Sequence, residues 1–510
     1  MLSKSLGATP WGVDARPVQV EVDVHNGLPQ THIVGLADAS VKESRERVRS
    51  AIKNSGYQVP AARVVVINLA PADLRKEGNH LDLAIALAVL VAHGELPQEF
   101  LEGRLVCGEL GLDGGVRPVR GALAIADLAR REGLREVLLP AANAGEAAAL
   151  GTIPVVPVRS LAEALHHVEG QESIKPAEVP PLSACSRVDP EAPDLSEVRG
   201  QEAAKRALEV AASGGHNLLF IGPPGSGKTM LARRLPGILP PLNLAESIAV
   251  TKVHSLVADE PPSRLTATRP FRSPHPGTST AGIIGGGAIP RPGEASLAHG
   301  GVLFLDELPE FRRDTLEALR QPLEEGQVTV VRTRARFDFP ARFALLASMN
   351  PCPCGHRGDP RHECRCTPPL IERYRSRISG PLLDRIDLHV EVPALSLQEL
   401  KGPPGESSED VAQRVLTARQ RQRQRFGVRS PTPINAAMAP EEIQRFCNLD
   451  PDARRLLDGA FERLKLSARA VTRILKVART IADLAQRDDI VAGDVAEAIQ
   501  YRSLDRRVDR

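Results

Sequence analysis

GPPGSGKT, at residues 222–229, matches the phosphate-loop pattern of a glycine, four further residues and then Gly-Lys-Thr. The stretch follows the apolar run HNLLFIG and precedes the helical pattern TMLARRLPG, which is the strand-to-helix context that this motif requires. Glycines let backbone N–H groups turn toward phosphates, while a lysine and a threonine hydroxyl can hold phosphate and Mg²⁺. The predicted phosphate-binding residues are Gly222, Pro223, Pro224, Gly225, Ser226, Gly227, Lys228 and Thr229.

A second motif downstream supplies two acids. The apolar run VLFLDE, at residues 302–307, predicts a strand that ends in Asp306 and Glu307. An aspartate there can share Mg²⁺ with Thr229, and a glutamate beside it can orient and deprotonate a water molecule. The alternative is a structural acidic pair at a strand end. Together the two motifs predict hydrolysis of ATP with Mg²⁺, rather than nucleotide binding alone.

The pattern of apolar runs predicts a multidomain α/β protein. Strand-like runs at 216–222, 301–307 and 343–350 alternate with helical segments, which is typical of a parallel sheet covered by helices. Before them, a predicted strand at 63–70 and a helix at 80–94 that ends at glycine indicate a compact α/β or α+β domain. Prolines without periodicity then predict a linker, and helical patterns dominate the C-terminal part.

With these motifs the sequence resembles AAA+ ATPases, and further positions match that family. Asn350 resembles the sensor-1 residue, Arg385 in LLDRID the arginine finger received by a neighbouring subunit, and Arg469 the sensor 2 of a helical lid. Arg377 is a second candidate finger, and a solvated helix surface is the alternative for the lid arginines. The resemblance implies a homo-oligomeric ring, a hexamer, whose activity depends on assembly. The implied catalytic set is Lys228, Asp306, Glu307, Asn350, Arg385 and Arg469.

Two segments before Asn350 resemble those of magnesium-chelatase-type ATPases. The insertion at 271–311 carries glycines at 282, 285, 286 and 287, which suit a mobile loop facing the pore of a ring or an ordinary surface loop. GQVTVVRTRARFDFPARF alternates apolar and polar residues and predicts a hairpin. The resemblance implies that this hairpin points into the pore, where Arg332, Arg334 and Arg336 face DNA phosphates. A charged edge strand is the alternative.

Four of the seven cysteines lie within fifteen positions directly after Asn350. Two Cys-x-Cys pairs can converge on one tetrahedral ion, and four thiolates are typical of structural Zn²⁺. His356 and His362 can replace a thiolate, and metal-free packing, an iron–sulfur cluster and a redox sensor stay open. The predicted zinc ligands are Cys352, Cys354, Cys364 and Cys366. The whole stretch also resembles the ComM branch of magnesium-chelatase-like AAA+ proteins.

The N-terminal part is similar to the Lon-protease-like, ribosomal-S5-like domain of that branch. The matching stretches are PADLRKEGNHLDLAIALAVL and CGELGLDGGVRPVRGALAIADLARREG. Proteolysis by that fold needs a serine nucleophile and a lysine base. The first stretch contains no serine, and Leu123 and Ile125 stand where the lysine would fall. We therefore expect a domain without protease activity that contacts DNA or a partner protein.

The segment TARQRQRQRFG places arginines at 419, 421, 423 and 425. On a helix this spacing predicts charge on all sides instead of an apolar stripe, either as a solvated connector or as a DNA-backbone contact. The predicted division of the chain is a Lon-protease-like domain at 1–173, a linker at 174–194, an AAA+ core at 195–395 with a Cys-rich loop at 350–367, an arginine-rich connector at 396–433 and a helical lid at 434–510.

Composition sets few further limits. The 510 residues carry 65 basic and 63 acidic side chains, so a net charge of +2 identifies no partner by itself. With 11 Phe, 3 Tyr and 1 Trp, extended platforms for stacking bases are not expected. No apolar run approaches the roughly 20 residues that span a bilayer. The N-terminus lacks the pattern of a signal peptide, so we expect a cytoplasmic protein without a membrane partner.

The resemblance covers essentially the whole chain in domain order and motif content, and it is with ComM-type proteins of the YifB family. It implies an ATP-driven ring that encircles single-stranded and branched DNA. Such a ring migrates junctions as a helicase and promotes integration of incoming DNA in natural transformation. The residues alone support a Mg·ATP-hydrolysing, assembly-dependent motor. The alternatives are a magnesium-chelatase-like or protein-remodelling subunit that needs partner subunits, and an ATP-dependent protease, for which the Ser-Lys pair is missing.

Overall fold

The computed structural model describes residues 2–36, 38–59, 63–74, 76, 78–179, 193–257, 265–287, 291–332, 335–359, 361–427, 433–502 and 504. Part of the predicted linker, the tip of the predicted hairpin with Arg334, and residues 288–290 of the glycine-rich insertion lie outside these residues. Among the helices that the structure describes, none is long and apolar enough to cross a membrane.

The N-terminal part is built on a seven-stranded mixed sheet with the strand order β3-β4-β2-β1-β5-β8-β9. The predicted helix ends at Gly94, as expected, because this residue takes a positive φ of 92° that glycine adopts without strain. That helix is buried on nearly every side, which explains its uniformly apolar sequence. The elements are β1 (Leu2–Trp11), β2 (Asp14–Asn26), β3 (Gln30–Val34), α1 (Ala39–Asn54), β4 (Arg63–Ala70), α2 (Asp82–His93), β5 (Arg104–Val106), β6 (Glu109–Leu110), β7 (Val116–Arg117), α3 (Ala122–Arg131), β8 (Glu136–Pro140), α4 (Ala141–Ala148), β9 (Val155–Val158) and α5 (Leu161–Glu169).

The central part contains the predicted parallel sheet, whose five strands have the order β11-β14-β17-β10-β18 and pair in parallel throughout. Strands β10 and β14 are fully buried, as a sheet covered on both faces requires. The elements are α6 (Glu202–Gly214), β10 (Leu218–Ile221), α7 (Lys228–Ile238), α8 (Leu244–Ser255), β11 (Phe271–Arg272), α9 (Thr280–Ile284), β12 (Gly285–Gly286), β13 (Arg291–Pro292), α10 (Glu294–Leu297), β14 (Val302–Leu305), α11 (Arg313–Ala318), α12 (Arg320–Glu325), β15 (Gln327–Arg332), β16 (Ala335–Pro340), β17 (Ala344–Met349), α13 (Pro368–Arg375), α14 (Gly380–Leu383), β18 (Leu388–Glu391), α15 (Leu397–Leu400) and α16 (Ser408–Phe426).

The glycine-rich insertion and the hairpin, the two segments that resemble magnesium-chelatase-type ATPases, both contain regular secondary structure. The glycine-rich insertion contains the short helix α9, and its glycines at 285 and 286 pair with β13 in a two-stranded ribbon. The hairpin is confirmed as the antiparallel pair of β15 and β16. The insertion is therefore more ordered at its base than a loop, because its ribbon uses backbone hydrogen bonds that a loop would leave unpaired.

The C-terminal part is helical, as predicted, with α17 (Pro440–Phe446), α18 (Pro451–Leu464), α19 (Ala468–Leu484) and α20 (Ala492–Gln500).

The prediction that the arginine-rich helix α16 carries charge on all sides was wrong. This helix has a buried stripe of Val411, Val415, Ala418 and Gln422 that packs against α6, α7 and α19. Its arginines reach past the stripe to carbonyl and carboxylate groups, so charge does not surround the helix.

The contacts of these arginines explain why α16 is not charged on all sides. The guanidinium of Arg419 donates to the Ala212 carbonyl oxygen at 2.8 and 3.0 Å, and Arg425 pairs with the fully buried Asp483. Arg421 pairs with Asp488. Three of the four arginines therefore join α16 to α6 and to the C-terminal helical part, which leaves Arg423 as the exposed member of the series.

The N-terminal part is docked on the core by polar and aromatic contacts. Lys252 on α8 lies 2.8 Å from Asp127 on α3 and 3.6 Å from Asp14. The Trp11 ring, at the end of β1, packs on the Phe337 ring of the hairpin with centroids 4.7 Å apart. These contacts join the N-terminal sheet to the hairpin that precedes Asn350.

A buried acid lies at the same junction. Glu146 on α4 is completely buried. Burial raises the pKa of Glu146 to about 7, although the nearby Leu123 backbone and the Asn143 and Ser255 side chains oppose the shift. Since Ser255 ends α8, deprotonation of Glu146 places a charge between the N-terminal part and the core.

Replacing Glu146 by glutamine is expected to remove a pH dependence of stability. The folded chain holds the Glu146 proton up to about pH 7, whereas an unfolded glutamate releases it near pH 4.5. Stability should therefore fall as the pH rises from 4.5 to 7, by about 3 kcal/mol. Unfolding midpoints at pH 6 and 8 should differ in the wild type and converge in Glu146→Gln. The exposed Glu132→Gln is the control, and an equal pH effect in both variants would contradict the assignment.

Candidate functional site

The motif residues meet at one edge of the central sheet. Strands β10, β14 and β17 are neighbours and run parallel, so their carboxyl ends lie side by side. The phosphate loop follows β10, Asp306 follows β14 and Asn350 follows β17. The topology therefore brings together residues that are up to 128 positions apart, between Gly222 and Asn350. This edge is the usual ligand-binding edge of an open parallel sheet.

Glycines shape the phosphate loop for two different reasons. Gly225 and Gly227 have φ angles of 73° and 90°, which side chains with a Cβ rarely adopt. At Gly222, a Cβ would lie 2.1 Å from the carbonyl oxygen of Val392 just after β18. The first pair thus permits the turn, while Gly222 permits close packing of the loop against the neighbouring strand.

Lys228 begins α7 and is held within the loop. Its ammonium group donates to the carbonyl oxygens of Gly222 and Pro223 at 2.7 and 2.8 Å and lies 3.4 Å from Oδ1 of Asn350. Burial lowers the pKa of Lys228, and the charges of Asp306 and Glu307 oppose this effect. The ammonium therefore lies where it can interact both with a phosphate and with the residue after β17.

The oxygen atoms at this edge suit Mg²⁺. The Thr229 hydroxyl donates to Oδ2 of Asp306 at 2.9 Å, so a hydroxyl and a carboxylate from two motifs are in direct contact. Hard oxygen ligands of this kind, few in number and beside a phosphate site, are what Mg²⁺ prefers. Ser348 on β17 donates to Oδ1 of Asp306 and fixes the orientation of the carboxylate.

Glu307 has an uncommon backbone conformation. Its φ of 53° lies in the left-handed region, which is rare for a residue with a side chain. The Glu307 N–H donates to Oδ1 of Asp306 at 3.1 Å and to the Ser348 hydroxyl at 3.3 Å, which holds this turn. The side chain is exposed at the sheet edge. The turn thus separates the two adjacent acids, with Asp306 held by hydroxyl groups and Glu307 open to solvent.

Sequence reasoning missed two residues of this site. Ser348 contacts both acids, and its only signal is a polar side chain one residue before the end of an apolar strand. Gln201, before α6, donates through Nε2 to the carbonyl oxygens of Ser226 and Pro393 at 3.2 and 2.7 Å. The Gly-Gln pair ahead of a helix could have indicated a turn, but not its contact with the phosphate loop.

Arg385 lies at the opposite edge of the same sheet. Its backbone carbonyl accepts from Asn217, which precedes β10, and its side chain pairs with Glu324. It lines a cavity of about 680 Å³, together with Arg469 and Arg473 from α19. Burial lowers the pKa of Arg385, and the charges of Arg320, Arg473 and Arg469 lower it further. This edge therefore gathers several cationic side chains, which are partly balanced by the acids Glu324, Glu325, Asp384 and Asp387 of the same cavity.

Arg469 is placed with Arg385 and not beside the phosphate loop of its own chain. It is 76% exposed and lies 3.5 Å from Asp384. One helical turn further, Arg473 pairs with Asp387 at 2.8 Å. Although burial favours the neutral acid, His216 and Arg473 hold the pKa of Asp387 well below its usual range. Helix α19 is thus anchored at the edge opposite Lys228, so Arg469 faces outward with Arg385.

The other predicted arginines have separate positions. Arg377 donates to the Pro309 carbonyl and pairs with Glu310 at 3.0 Å, so it lies near Glu307 of its own chain. In the hairpin, Arg336 is exposed and pairs with Asp338 at 3.2 Å. Arg332 ends β15, while Arg334 lies outside the described residues. The described contacts therefore place Arg377 at the same sheet edge as Glu307, whereas Arg385 lies at the opposite edge.

The Cys-rich loop forms two separate groups of candidate metal ligands. The sulfur atoms of Cys352, Cys354, Cys364 and Cys366 lie within 4.8 Å of one another. His356 and His362 instead group with Asp359, which lies 3.0 Å from Nδ1 of His362. The histidines therefore do not replace a thiolate in this structure. No disulfide joins the cysteines of the loop.

Three models of the magnesium chelatase family match the chain in order. "Subunit ChlI of Mg-chelatase" matches residues 20–143, "Magnesium chelatase, subunit ChlI" matches 194–400, and "Magnesium chelatase, subunit ChlI C-terminal" matches 405–502. The magnesium-chelatase 38 kDa subunit of Rhodobacter capsulatus is 26% identical over 274 residues, which are 48% of this chain and 73% of that protein. The match to this chelatase subunit thus covers about half of the chain, whereas the three family models together reach from residue 20 to residue 502.

Two relatives match over nearly their whole length. The protein YifB of Escherichia coli is 47% identical over 497 residues, 97% of this chain and 96% of the relative. The competence protein ComM of Haemophilus influenzae is 44% identical over 502 residues, 98% of this chain and 97% of the relative. This family membership indicates an ATPase that uses ATP and Mg²⁺. With its phosphate loop and paired acids at one sheet edge, the chain belongs to the ComM/YifB-type family of magnesium-chelatase-like proteins.

Proposed function

We propose that this protein hydrolyses ATP at sites completed between subunits of a homo-oligomeric, hexameric ring. The observation that carries the proposal is the separation of the site into two sheet edges. Lys228, Thr229 and Asp306 lie at one edge, whereas Arg385 and Arg469 lie at the other. A subunit can use both sets only when its neighbour supplies the second, so hydrolysis requires assembly.

The proposed roles follow from the contacts. Lys228 binds the β- and γ-phosphates, and Thr229 and Asp306 hold Mg²⁺, which neutralises phosphate charge when bound. Glu307 orients a water molecule and accepts its proton, since its side chain is exposed beside the half-buried Asp306. Asn350 lies 3.4 Å from the Lys228 ammonium, where its amide can orient the same water or phosphate.

We further propose that the ring acts on DNA as a branch-migration helicase that promotes integration of incoming DNA. The support is the near full-length similarity to a competence protein and the exposed Arg336 of the hairpin. We keep the predicted division of the chain, with residues 1–173 as a Lon-protease-like domain, 195–395 as the AAA+ core and 434–510 as the lid. The chelatase-like alternative, which needs partner subunits, is supported by the matching family models.

ATP turnover by the purified protein is expected to rise with DNA and most with a synthetic four-way junction. Turnover should be measured without DNA, with single-stranded DNA and with the junction, alongside the assembly state. A rise that accompanies ring formation supports the motor. A flat response in a well-assembled ring would contradict action on DNA and favour a subunit that needs a protein partner.

The hairpin variant Arg332→Ala, Arg334→Ala, Arg336→Ala should keep basal turnover and lose DNA affinity. Removing three phosphate contacts is expected to reduce the salt slope of DNA binding by about 2 to 3. Trp11, the single tryptophan, packs on the hairpin and gives a fluorescence readout of DNA at this place. The matched control carries alanine at three exposed arginines of α18, namely Arg454, Arg455 and Arg463. Equal salt slopes in both triple variants would place the DNA surface elsewhere.

A further inference from the structure

The four sulfur atoms of the Cys-rich loop are spaced for one tetrahedral ion. Sγ of Cys352 lies 3.3 Å from Sγ of Cys354 and 3.7 Å from Sγ of Cys364, and Cys354 and Cys364 are 3.7 Å apart. Four thiolates at about 2.3 Å from one zinc ion hold their sulfur atoms roughly 3.8 Å apart. The observed separations therefore match a shared ion, and they greatly exceed the roughly 2.05 Å of a disulfide.

Other occupants fit this group less well. An iron–sulfur cluster places several irons and sulfides between its cysteines, which requires wider separations than the 4.8 Å limit observed among all four sulfurs. Hard cations such as Mg²⁺ prefer oxygen ligands and do not suit four thiolates. The neighbouring imidazoles of His356 and His362 are grouped with Asp359. A closed four-sulfur shell is thus typical of a structural zinc ion.

The same loop packs on the phosphate loop. Gly355 follows Cys354 and precedes His356 in the chain. A Cβ placed on Gly355 would come 2.7 Å from Cδ of Pro224. That Cβ would also lie 4.0 Å from Cγ of Asn350. The Gly355 N–H donates to the Cys352 carbonyl at 3.0 Å, which ties this contact to the sulfur group. The loop therefore connects the four cysteines to the phosphate loop at Pro224 and to Asn350.

We propose that Cys352, Cys354, Cys364 and Cys366 bind one Zn²⁺ ion, and that the zinc-closed loop supports the phosphate loop through Gly355. The coupling part rests on the proposed ATP site, whereas the zinc site does not. Closure of the loop by zinc replaces conformational freedom at Gly355 with a fixed contact on Pro224. Nucleotide affinity then depends on zinc even though zinc touches no nucleotide.

Metal analysis of the purified full-length protein tests the zinc site. About one zinc per chain is expected, and Cys352→Ser with Cys354→Ser should lose it. Cys366→His should keep the zinc, because three thiolates and one imidazole form another common zinc site. Cys107→Ala, which removes a buried cysteine of the N-terminal sheet, is the control and should keep it. Absence of zinc from wild-type protein purified without chelators would overturn the site.

If the double serine variant fails to fold, the outer and more exposed pair can be replaced as Cys364→Ser with Cys366→Ser. Cobalt supplied during expression gives a second measurement, since tetrahedral Co²⁺–thiolate sites absorb visible light. Loss of that absorption in the outer-pair variant, with retention in Cys107→Ala, supports the four-cysteine site. Unchanged absorption in the outer-pair variant would overturn it.

Binding of a fluorescent ADP analogue tests the coupling. Removing zinc with a chelator is expected to weaken binding about tenfold or more, and adding Zn²⁺ should restore it. Gly355→Ala should keep zinc and still weaken binding, because the added Cβ displaces Pro224. Gly358→Ala is the matched control. Gly358 has a similar positive φ of 81° in the same loop, but a Cβ there meets nothing within 4 Å.

The outcomes of these measurements distinguish the zinc site from its coupling to nucleotide binding. Equal affinity in Gly355→Ala and Gly358→Ala, or equal affinity with and without zinc, would overturn the coupling and leave the zinc site supported by metal analysis. A wild-type protein that binds zinc but no nucleotide would overturn the coupling together with the proposed ATP site. Weak binding in Gly355→Ala with zinc retained supports the coupling.

Discussion

Glu307→Gln is expected to lower ATP turnover by about 10²- to 10⁴-fold while leaving ATP binding and the assembled ring intact. The glutamine keeps the size of the side chain and its left-handed turn but cannot accept a proton from water. The Thr229–Asp306 contact and Lys228 are untouched by the change, so phosphate and Mg²⁺ binding should persist. Turnover by phosphate release and affinity by a fluorescent ATP analogue measure the two quantities separately.

Two further variants serve as controls for Glu307→Gln. Lys228→Ala should lose both binding and turnover, since it removes the charge that meets the phosphates. Glu310→Gln makes the same chemical change three residues along the chain, at a carboxylate that pairs with Arg377, and should stay within about threefold of wild type. Loss of nucleotide binding in Glu307→Gln would contradict the proton-acceptor role, as would equal loss of turnover in Glu310→Gln.

Arg385→Ala is expected to lower turnover by about 10³-fold or more with ATP binding retained, because an arginine finger stabilises charge only during phosphoryl transfer. Its position at the edge opposite Lys228 agrees with the proposed contribution of Arg385 to the site of a neighbouring subunit. Arg385→Lys keeps a charge beside Glu324 and tests whether the loss reflects the planar guanidinium or the stability of the fold.

Mixed rings distinguish action within a subunit from action between subunits. Arg385→Ala and Lys228→Ala are each inactive alone, but an Arg385→Ala subunit keeps its phosphate loop and a Lys228→Ala neighbour keeps its arginine. Random mixing in equal amounts should complete roughly a quarter of the sites and restore that share of turnover. Arg377 lies at the same edge as Glu307, so Arg377→Ala should keep its turnover without mixing with Lys228→Ala subunits. A mixture as inactive as its parents, in rings shown to exchange subunits, would place Arg385 in its own site.

Much of the central fold was predictable from periodicity because its strands are short, apolar and bounded by glycine or polar residues. The three predicted strands appear as β10, β14 and β17, each slightly shorter than its apolar run. The N-terminal strand β4 and the helical character of the C-terminal part were also predicted correctly. Such elements bury their apolar faces locally, so the sequence pattern carries the information.

The arginine-rich helix shows where periodicity fails. Charges at alternate positions hid the stripe of Val411, Val415, Ala418 and Gln422, because a buried glutamine and long arginine stems do not register as apolar. The partners of these arginines come from distant parts of the chain, such as the Ala212 carbonyl and Asp483. Pattern alone cannot supply such partners.

The sequence by itself determined the phosphate loop, the paired acids, the four-cysteine cluster and the family, because each depends on residue types at short, fixed spacings. Only the tertiary structure decided which residues share a place. It put Lys228, Asp306 and Asn350 at one sheet edge, Arg385 and Arg469 at the other, and Gly355 against Pro224. The physical reason is that parallel strand order and packing set these distances, and neither is encoded in local spacing.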